Sequence, residues 1–122
     1  MGLDNIVYTK VGVKDKKLSE ALSKLCGGSF MTDNNNSFRG KVYDNFFVNE
    51  TGYSLYESDD FLTVQYEEII DSLKKLKVEY PDLEKLDNYL YQYNEMTRDE
   101  LDAFIEVFEL CYENGWGINA WY

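Results

Sequence analysis

Residues 97–115, with the sequence TRDELDAFIEVFELCYENG, decide the fold of this chain. Thr97 stands three residues before Glu100, which is the spacing of a capping box that satisfies two backbone N–H groups at the start of a helix. Asn114-Gly115 supplies a left-handed stop. Between them, apolar residues recur at intervals of three and four: Leu101, Phe104, Ile105, Phe108, and Cys111 or Tyr112. The stretch therefore predicts an amphipathic helix with a well-defined core face.

The opposite face of this helix is a row of carboxylates: Asp99, Asp102, Glu106, Glu109 and Glu113. Like charges at these spacings repel by roughly 0.2 to 0.5 kcal/mol per pair. The helix dipole also disfavours the two glutamates nearest the C-terminus. We consider two roles for the row, a solvated helix face or a docking strip for a basic partner. As a docking strip it would imitate the phosphate spacing of a nucleic acid.

Charge is distributed unevenly along the 122 residues. Residues 1–56 contain seven Lys or Arg against six acids, whereas residues 57–122 contain five against seventeen, which accounts for the net charge of -11. This excess excludes direct binding to nucleic acid, because phosphate contacts require cationic groups. A basic protein surface would be attracted instead. The apolar fraction of 44% is enough for a folded single domain over residues 1–122.

The chain contains no histidine, which removes the usual general base and the commonest metal ligand. Known catalytic and phosphate-binding motifs are also missing from the sequence, so we predict no catalytic residues, no cofactor and no metal. Cys26 and Cys111 lie in or next to apolar helical runs and are expected to be buried thiols. A metal-dependent hydrolase using carboxylate pairs such as Glu67-Glu68 or Asp59-Asp60 remains an alternative. The N-terminus has no basic region followed by an apolar run, and no apolar stretch is long enough for a membrane span, so we expect a cytoplasmic protein.

The remaining segments predict an α+β fold. A strand over residues 6–13 precedes a helix over 15–25 that Asp15 caps and Gly27-Gly28 ends. Extended segments follow at 38–43, 46–48 and 53–56, after a polar loop. Two helices then lie on either side of Tyr80-Pro81, with Asp60 or Thr63 as caps of the first and Leu83 on the apolar stripe of the second. The last helix and a terminal strand over 116–122 complete a small, mostly antiparallel sheet packed against about four helices.

The scarce cations suggest a ligand site. Arg39, Lys41 and Tyr43 fall on one side of the predicted extended segment, in the half of the chain that is not acidic. Arginine binds phosphate or carboxylate in a bidentate manner, and an aromatic ring can stack on a base. Further rings for stacking are Tyr53, Trp116 and Trp121. We therefore predict capture of a small anionic ligand such as a nucleotide; the alternative is that the two cations pair with surplus carboxylates at the surface.

The opening residues Met1-Gly2-Leu3-Asp4 resemble the start of a loose group of short, uncharacterised bacterial and phage proteins. The resemblance implies an origin and no activity. With it, the leading hypothesis is a phage counter-defence protein that sequesters a nucleotide-derived immune signal in the host cytosol. The alternative is an acidic inhibitor that docks on a basic host protein through the carboxylate row. A homo-oligomer that shares its ligand site between protomers would be compatible with the first hypothesis.

Overall fold

The computed structural model describes residues 4–9, 15–25 and 37–121 of the chain. In chain order the elements are β1 (Asp4–Tyr8), α1 (Lys16–Ser23), β2 (Ser37–Phe38), α2 (Gly40–Thr51), a 3₁₀ helix (Leu55–Asp60), α3 (Thr63–Glu79), α4 (Leu83–Tyr91), α5 (Arg98–Asn114) and β3 (Gly117–Trp121). Of the predicted features, the 10–13 part of the first strand, the Gly27-Gly28 helix stop and the loop up to residue 36 lie outside the described residues. The side chain of Trp121 also lies outside them.

The predicted α+β class is confirmed. The strand order is β2-β1-β3, and both pairings are antiparallel. The predicted C-terminal strand is confirmed as well, since β3 pairs with β1 over its full length, from Asp4 opposite Trp121 to Tyr8 opposite Gly117. The central extended part of the sheet is reduced to the two residues of β2.

Helix α5 lies at the centre of the structure and packs against α1 and α3. The predicted capping box is present: Glu100 N–H donates to the Thr97 hydroxyl at 3.3 Å, and Thr97 N–H donates to Glu100 Oε1 at 3.0 Å. Gly115 ends the helix at a φ of 69°, which glycine adopts without steric cost. The Phe104 ring packs edge-on against Tyr43, with ring centroids 4.7 Å apart. These contacts fix the orientation of α5 in the core.

The extended segments predicted at 38–43 and 46–48 are wrong, because residues 40–51 form helix α2. Tyr43, Phe46 and Phe47 are spaced by three and four residues and are all buried, so helical packing outweighs the six-residue alternation that suggested a strand. Gly52 ends the helix at a φ of 79°.

The strand predicted at 53–56 is also wrong. Residues 55–60 form the 3₁₀ helix, whose start is held by Asp44 of α2: its Oδ1 accepts hydrogen bonds from Leu55 N–H at 2.7 Å and from the Ser54 hydroxyl at 2.9 Å. The buried Asn5 side chain of β1 donates to Leu55 O and to Ser58 Oγ, both at 2.9 Å. Two polar side chains thus tie this segment to the sheet and to α2.

The predicted caps are partly confirmed. Asp15 caps α1, accepting from Leu18 N–H at 2.9 Å. Helix α3 begins differently from the prediction, since Leu62 occupies the N-cap position and its N–H donates to the Gln65 side chain at 2.6 Å. Neither Asp60 nor Thr63 caps it. Helix α4 begins after Asp82, which caps it in place of a start directly at Pro81.

We predict that Thr97→Ala lowers the free energy of unfolding by about 1 kcal/mol, because it removes the side-chain half of the α5 capping box. Urea denaturation monitored by circular dichroism measures the change. Thr63→Ala is the matched control, since Thr63 is exposed and does not cap its helix. Equal losses in the two variants would contradict the role assigned to the cap.

Candidate functional site

The carboxylate row forms most of the solvent-facing side of α5. The other sides of the helix are buried by α1, α3 and the aromatic core. Asp99, Asp102 and Glu113 are exposed, and Glu106 and Glu109 are half-buried. The row runs from Asp99 to Glu113, which corresponds to roughly 21 Å along the helix axis. The predicted row is therefore a continuous surface strip, which we call the acidic strip: Asp99, Asp102, Glu106, Glu109 and Glu113.

Lysines of α3 neutralise part of the acidic strip. Lys74 Nζ lies 2.8 Å from Glu109 Oε2, and Lys77 forms an ion pair with Asp102. The hydrogen bond to Glu109 and the charge of this carboxylate raise the pKa of Lys74, with smaller contributions from Asp71 and Glu113. These ion pairs relieve the repulsion expected from the sequence.

The other three carboxylates of the strip, Asp99, Glu106 and Glu113, take part in no hydrogen bond or ion pair with any described residue. They are the charges that remain available to a partner.

A groove of about 530 Å³ lies between the end of α3, helix α4 and the start of α5. Leu86 and Met96, both buried, contribute to its lining. Leu83 and Tyr91 line it as well and are 56% and 61% exposed. The prediction that Leu83 packs in the core with the apolar stripe of its helix is wrong. The first turn of α4 extends beyond the core. The groove therefore offers apolar surface that the fold itself leaves uncovered.

Charged residues of both signs line the same groove. Its two cations are engaged internally: Arg98 Nε lies 2.6 Å from Asp87 Oδ1, and Lys77 pairs with Asp102. Asp99 is a third carboxylate in the lining. After these pairings are subtracted, the groove carries one uncompensated negative charge. Asp99 and Asp102 also belong to the acidic strip, so the groove and the strip form one surface.

The predicted ligand residues do not share an extended face. Arg39 is the residue before helix α2 and Lys41 lies in its first turn, and both side chains are exposed. Tyr43 is buried in the core, and its hydroxyl donates to Glu100. Because the segment is helical, Lys41 and Tyr43 point to different sides of α2, and Arg39 lies before the helix.

The predicted stacking rings come from other elements than the cations. Tyr53 follows the C-terminal end of α2, and the hydrogen bond from its hydroxyl to Glu68 raises the tyrosine pKa. Trp116 follows the C-cap of α5 and is buried. The backbone of Trp121 is at the end of β3. The six residues are therefore spread over several elements, and ligand binding at Arg39 and Lys41 remains a prediction.

The carboxylate pairs considered for metal chemistry have structural partners. Glu67 and Glu68 accept hydrogen bonds from the hydroxyls of Tyr112 and Tyr53. Asp59 Oδ1 accepts from the Ala120 backbone N–H at 2.6 Å. Over residues 4–9, 15–25 and 37–121, no group of three or more acidic or cysteine side chains is placed to hold a metal ion.

None of the helices in the described part of the chain has the combination of length and apolar character that a membrane span requires.

Sequence reasoning missed most of the groove. Asp87, Tyr91 and Met96 come from α4 and from the connection to α5, and no local pattern indicates that they face a common cavity. The one available signal is the sequence Tyr80-Pro81-Asp82-Leu83. In it, Pro81 breaks the helix, Asp82 is the cap of the next helix and Leu83 is apolar. This signal locates the helix junction but not the cavity.

Comparison with known protein families, with curated proteins and with solved structures finds no match to this chain.

We predict that the free energy of unfolding falls as the pH rises from about 9 to about 12. Burial raises the pKa of Cys111 from 9.0 to about 12, and burial is also the main cause that raises the pKa of Tyr66 from 10.0 to about 12. The folded state holds both protons more tightly than the unfolded state does. Their contribution to the free energy of unfolding is therefore fully present below about pH 9 and is lost as the pH rises toward about 12.

Urea denaturation at pH 8, 10 and 11, with tyrosinate absorbance as a second readout, checks this prediction. Tyr66→Phe and Cys111→Ala should each flatten the pH dependence. A flat profile for the unmodified protein would contradict the prediction.

Proposed function

We propose that this protein is a small acidic, non-enzymatic binding protein that docks on a basic protein through the groove and the acidic strip of α5. The observation that carries the proposal is the groove itself, which combines exposed apolar surface with carboxylates and with cations that are already paired. Such a lining favours a segment that presents an apolar side chain next to Lys or Arg. The net charge of -11 would accelerate association with a cationic surface.

The strip extends the same surface. Asp99 and Asp102 stand at the groove, and Glu106, Glu109 and Glu113 continue along a rigid helix. A basic helix or a nucleic-acid-binding cleft of the partner would therefore meet regularly spaced charges after its apolar side chain is seated in the groove. This arrangement supports an inhibitor that competes with a nucleic acid for a cytosolic partner.

The probe is a labelled synthetic peptide of about 14 residues with one Leu and with Arg at intervals of three and four, as suits a basic helix. Fluorescence anisotropy should show binding that weakens as salt increases. Asp99→Lys combined with Glu106→Lys should weaken binding at least roughly tenfold, since the new charges repel the peptide. Leu83→Ser should weaken it by removing apolar contact area.

The control for charge is Glu57→Lys combined with Asp60→Lys, which changes the net charge by the same amount at exposed positions outside the groove and the strip. A second peptide, with Leu replaced by Ser, tests the apolar contact. If the control variant weakened peptide binding equally, binding would depend on net charge alone. This result would contradict the assigned surface. If the protein bound both peptides equally well, this would contradict the proposal that the groove binds the apolar side chain.

Anion capture at the start of α2 is the second candidate function. Arg39 occupies the N-cap position without a side-chain cap bond, and Lys41 follows in the first turn. Neither cation has an acidic partner among the described residues, although the chain has surplus carboxylates. Free backbone N–H groups at a helix N-terminus and two unpaired cations favour a phosphate group, such as that of a nucleotide-derived signal.

For this candidate we predict that calorimetric titration with linear and cyclic nucleotides gives binding that Arg39→Ala abolishes. Lys85→Ala is the control. Lys85 is an exposed cation that lies on another helix and has no ion pair with any described residue. Absence of heat with every nucleotide would contradict the candidate. So would equal binding by the Arg39→Ala protein.

A further inference from the structure

A second cavity lies at the other end of α5, where the 3₁₀ helix, the start of α3 and the start of β3 meet. Its volume is about 250 Å³. Four of its lining residues are aromatic: Phe61, Tyr66, Tyr112 and Trp116. On α5 the groove is lined by residues up to Asp102 and the cavity by residues from Cys111 onward, so the two are separated by roughly 14 Å along the helix axis. The cavity is therefore a separate site from the groove.

The charge of the lining is negative. Among the described residues that line the cavity, Asp59 is the one acidic residue and none is Lys or Arg. Its Oδ1 is held by the Ala120 N–H at 2.6 Å, and no described residue donates to its other oxygen. Aromatic faces carry a negative quadrupole that attracts cations. Rings and a carboxylate in one cavity thus favour a positively charged ligand.

The aromatic walls are held in place by the core. Tyr66 and Trp116 are only 6% and 7% exposed, and the rings of Phe61 and Tyr66 are perpendicular with centroids 6.0 Å apart. Phe61 is half-buried and Tyr112 is exposed, so the cavity is lined partly by surface residues. A ligand would enter a site with little rearrangement, which lowers the entropic cost of binding.

The volume of the cavity and the hydrogen-bond donors of the ligand limit the class of ligand that can bind. The volume of the cavity is below the roughly 300 to 1,000 Å³ of sites that bind drug-sized molecules. The cavity is therefore too small for a nucleotide. A primary ammonium carries three donors that each need an acceptor. A methylated ammonium has fewer donors or none, so it loses fewer hydrogen bonds when it leaves water to pack against the four aromatic rings.

We propose that this cavity is an aromatic cage for a methylated ammonium group. The group would pack against the rings of Phe61, Tyr66, Tyr112 and Trp116 and face the carboxylate of Asp59. Its source is either a free small molecule of the choline type or the methylated lysine side chain of a protein. The inference does not depend on the proposed docking function, because it uses none of the groove residues.

The first experiment titrates the full chain with choline and with 3,3-dimethyl-1-butanol, its neutral isostere of the same shape. Amide NMR signals of Gly117 and Ile118 report on the cavity, and tryptophan fluorescence gives the affinity. Choline should shift these signals and bind at least roughly fivefold more tightly than the isostere, as expected for a desolvated cation–π contact. Equal binding of the two compounds would overturn the proposal.

A trimethyllysine peptide and its unmethylated counterpart form the second arm. Tighter binding of the trimethylated peptide than of choline assigns the ligand to a protein, and tighter binding of choline assigns it to a small molecule. Either order supports the cage when choline also binds more tightly than its isostere. Failure of both choline and the trimethylated peptide to shift the cavity signals would overturn it.

Asp59→Asn is the decisive variant, since the amide oxygen can still accept the Ala120 N–H while the charge is lost. It should weaken binding of the methylated ammonium roughly tenfold and leave the circular dichroism spectrum unchanged. Asp60→Asn, at an exposed neighbour outside the cavity, is the matched control. Tyr112→Leu should also weaken binding, because it removes an aromatic wall. An equal loss in the Asp60 variant would overturn the role of Asp59.

Discussion

Burial of helix α5 is the constraint on which the rest of the structure depends. Eight of its residues are buried, on sides that face α1, α3 and the aromatic core. Five of the six acids of the helix therefore lie along the one remaining side, and the sixth, Glu100, belongs to the capping box. Helix α3 then places lysines next to two of the five acids, which lowers the repulsion without removing the strip. The surface chemistry of the protein follows from how its central helix is packed.

Tyrosine hydroxyls link several of the remaining acids to the fold. Four tyrosines donate to glutamates on other elements: Tyr43 to Glu100, Tyr53 to Glu68, Tyr89 to Glu50, and Tyr112 to Glu67. Each ring packs against apolar neighbours or covers a surface cavity, while its hydroxyl satisfies a carboxylate oxygen. These contacts involve four of the eleven tyrosines and four of the 23 acidic residues. These acids are structural and are not available to a ligand.

Local signals were enough to predict α5, the first helix and the terminal strand, because caps, periodicity and glycine stops lie within each segment. They failed for residues 40–51, where six alternating residues fit a strand as well as a helix and only packing against Phe104 decides. The two cavities could not be predicted, since Leu83 and Met96, or Asp59 and Trp116, are distant in sequence. Their proximity is a property of helix placement, which composition and spacing do not encode.

The hydrogen bond between Asp59 and the Ala120 amide has a consequence for how molecules of this protein meet one another. Outer strands expose unpaired amides and carbonyls, onto which another chain can add as a further strand. Here the carboxylate already occupies one such amide, and the 3₁₀ helix lies beside the same margin of the sheet. At this position the edge of β3 is therefore less open to pairing with a strand of another molecule, which limits one route to self-assembly.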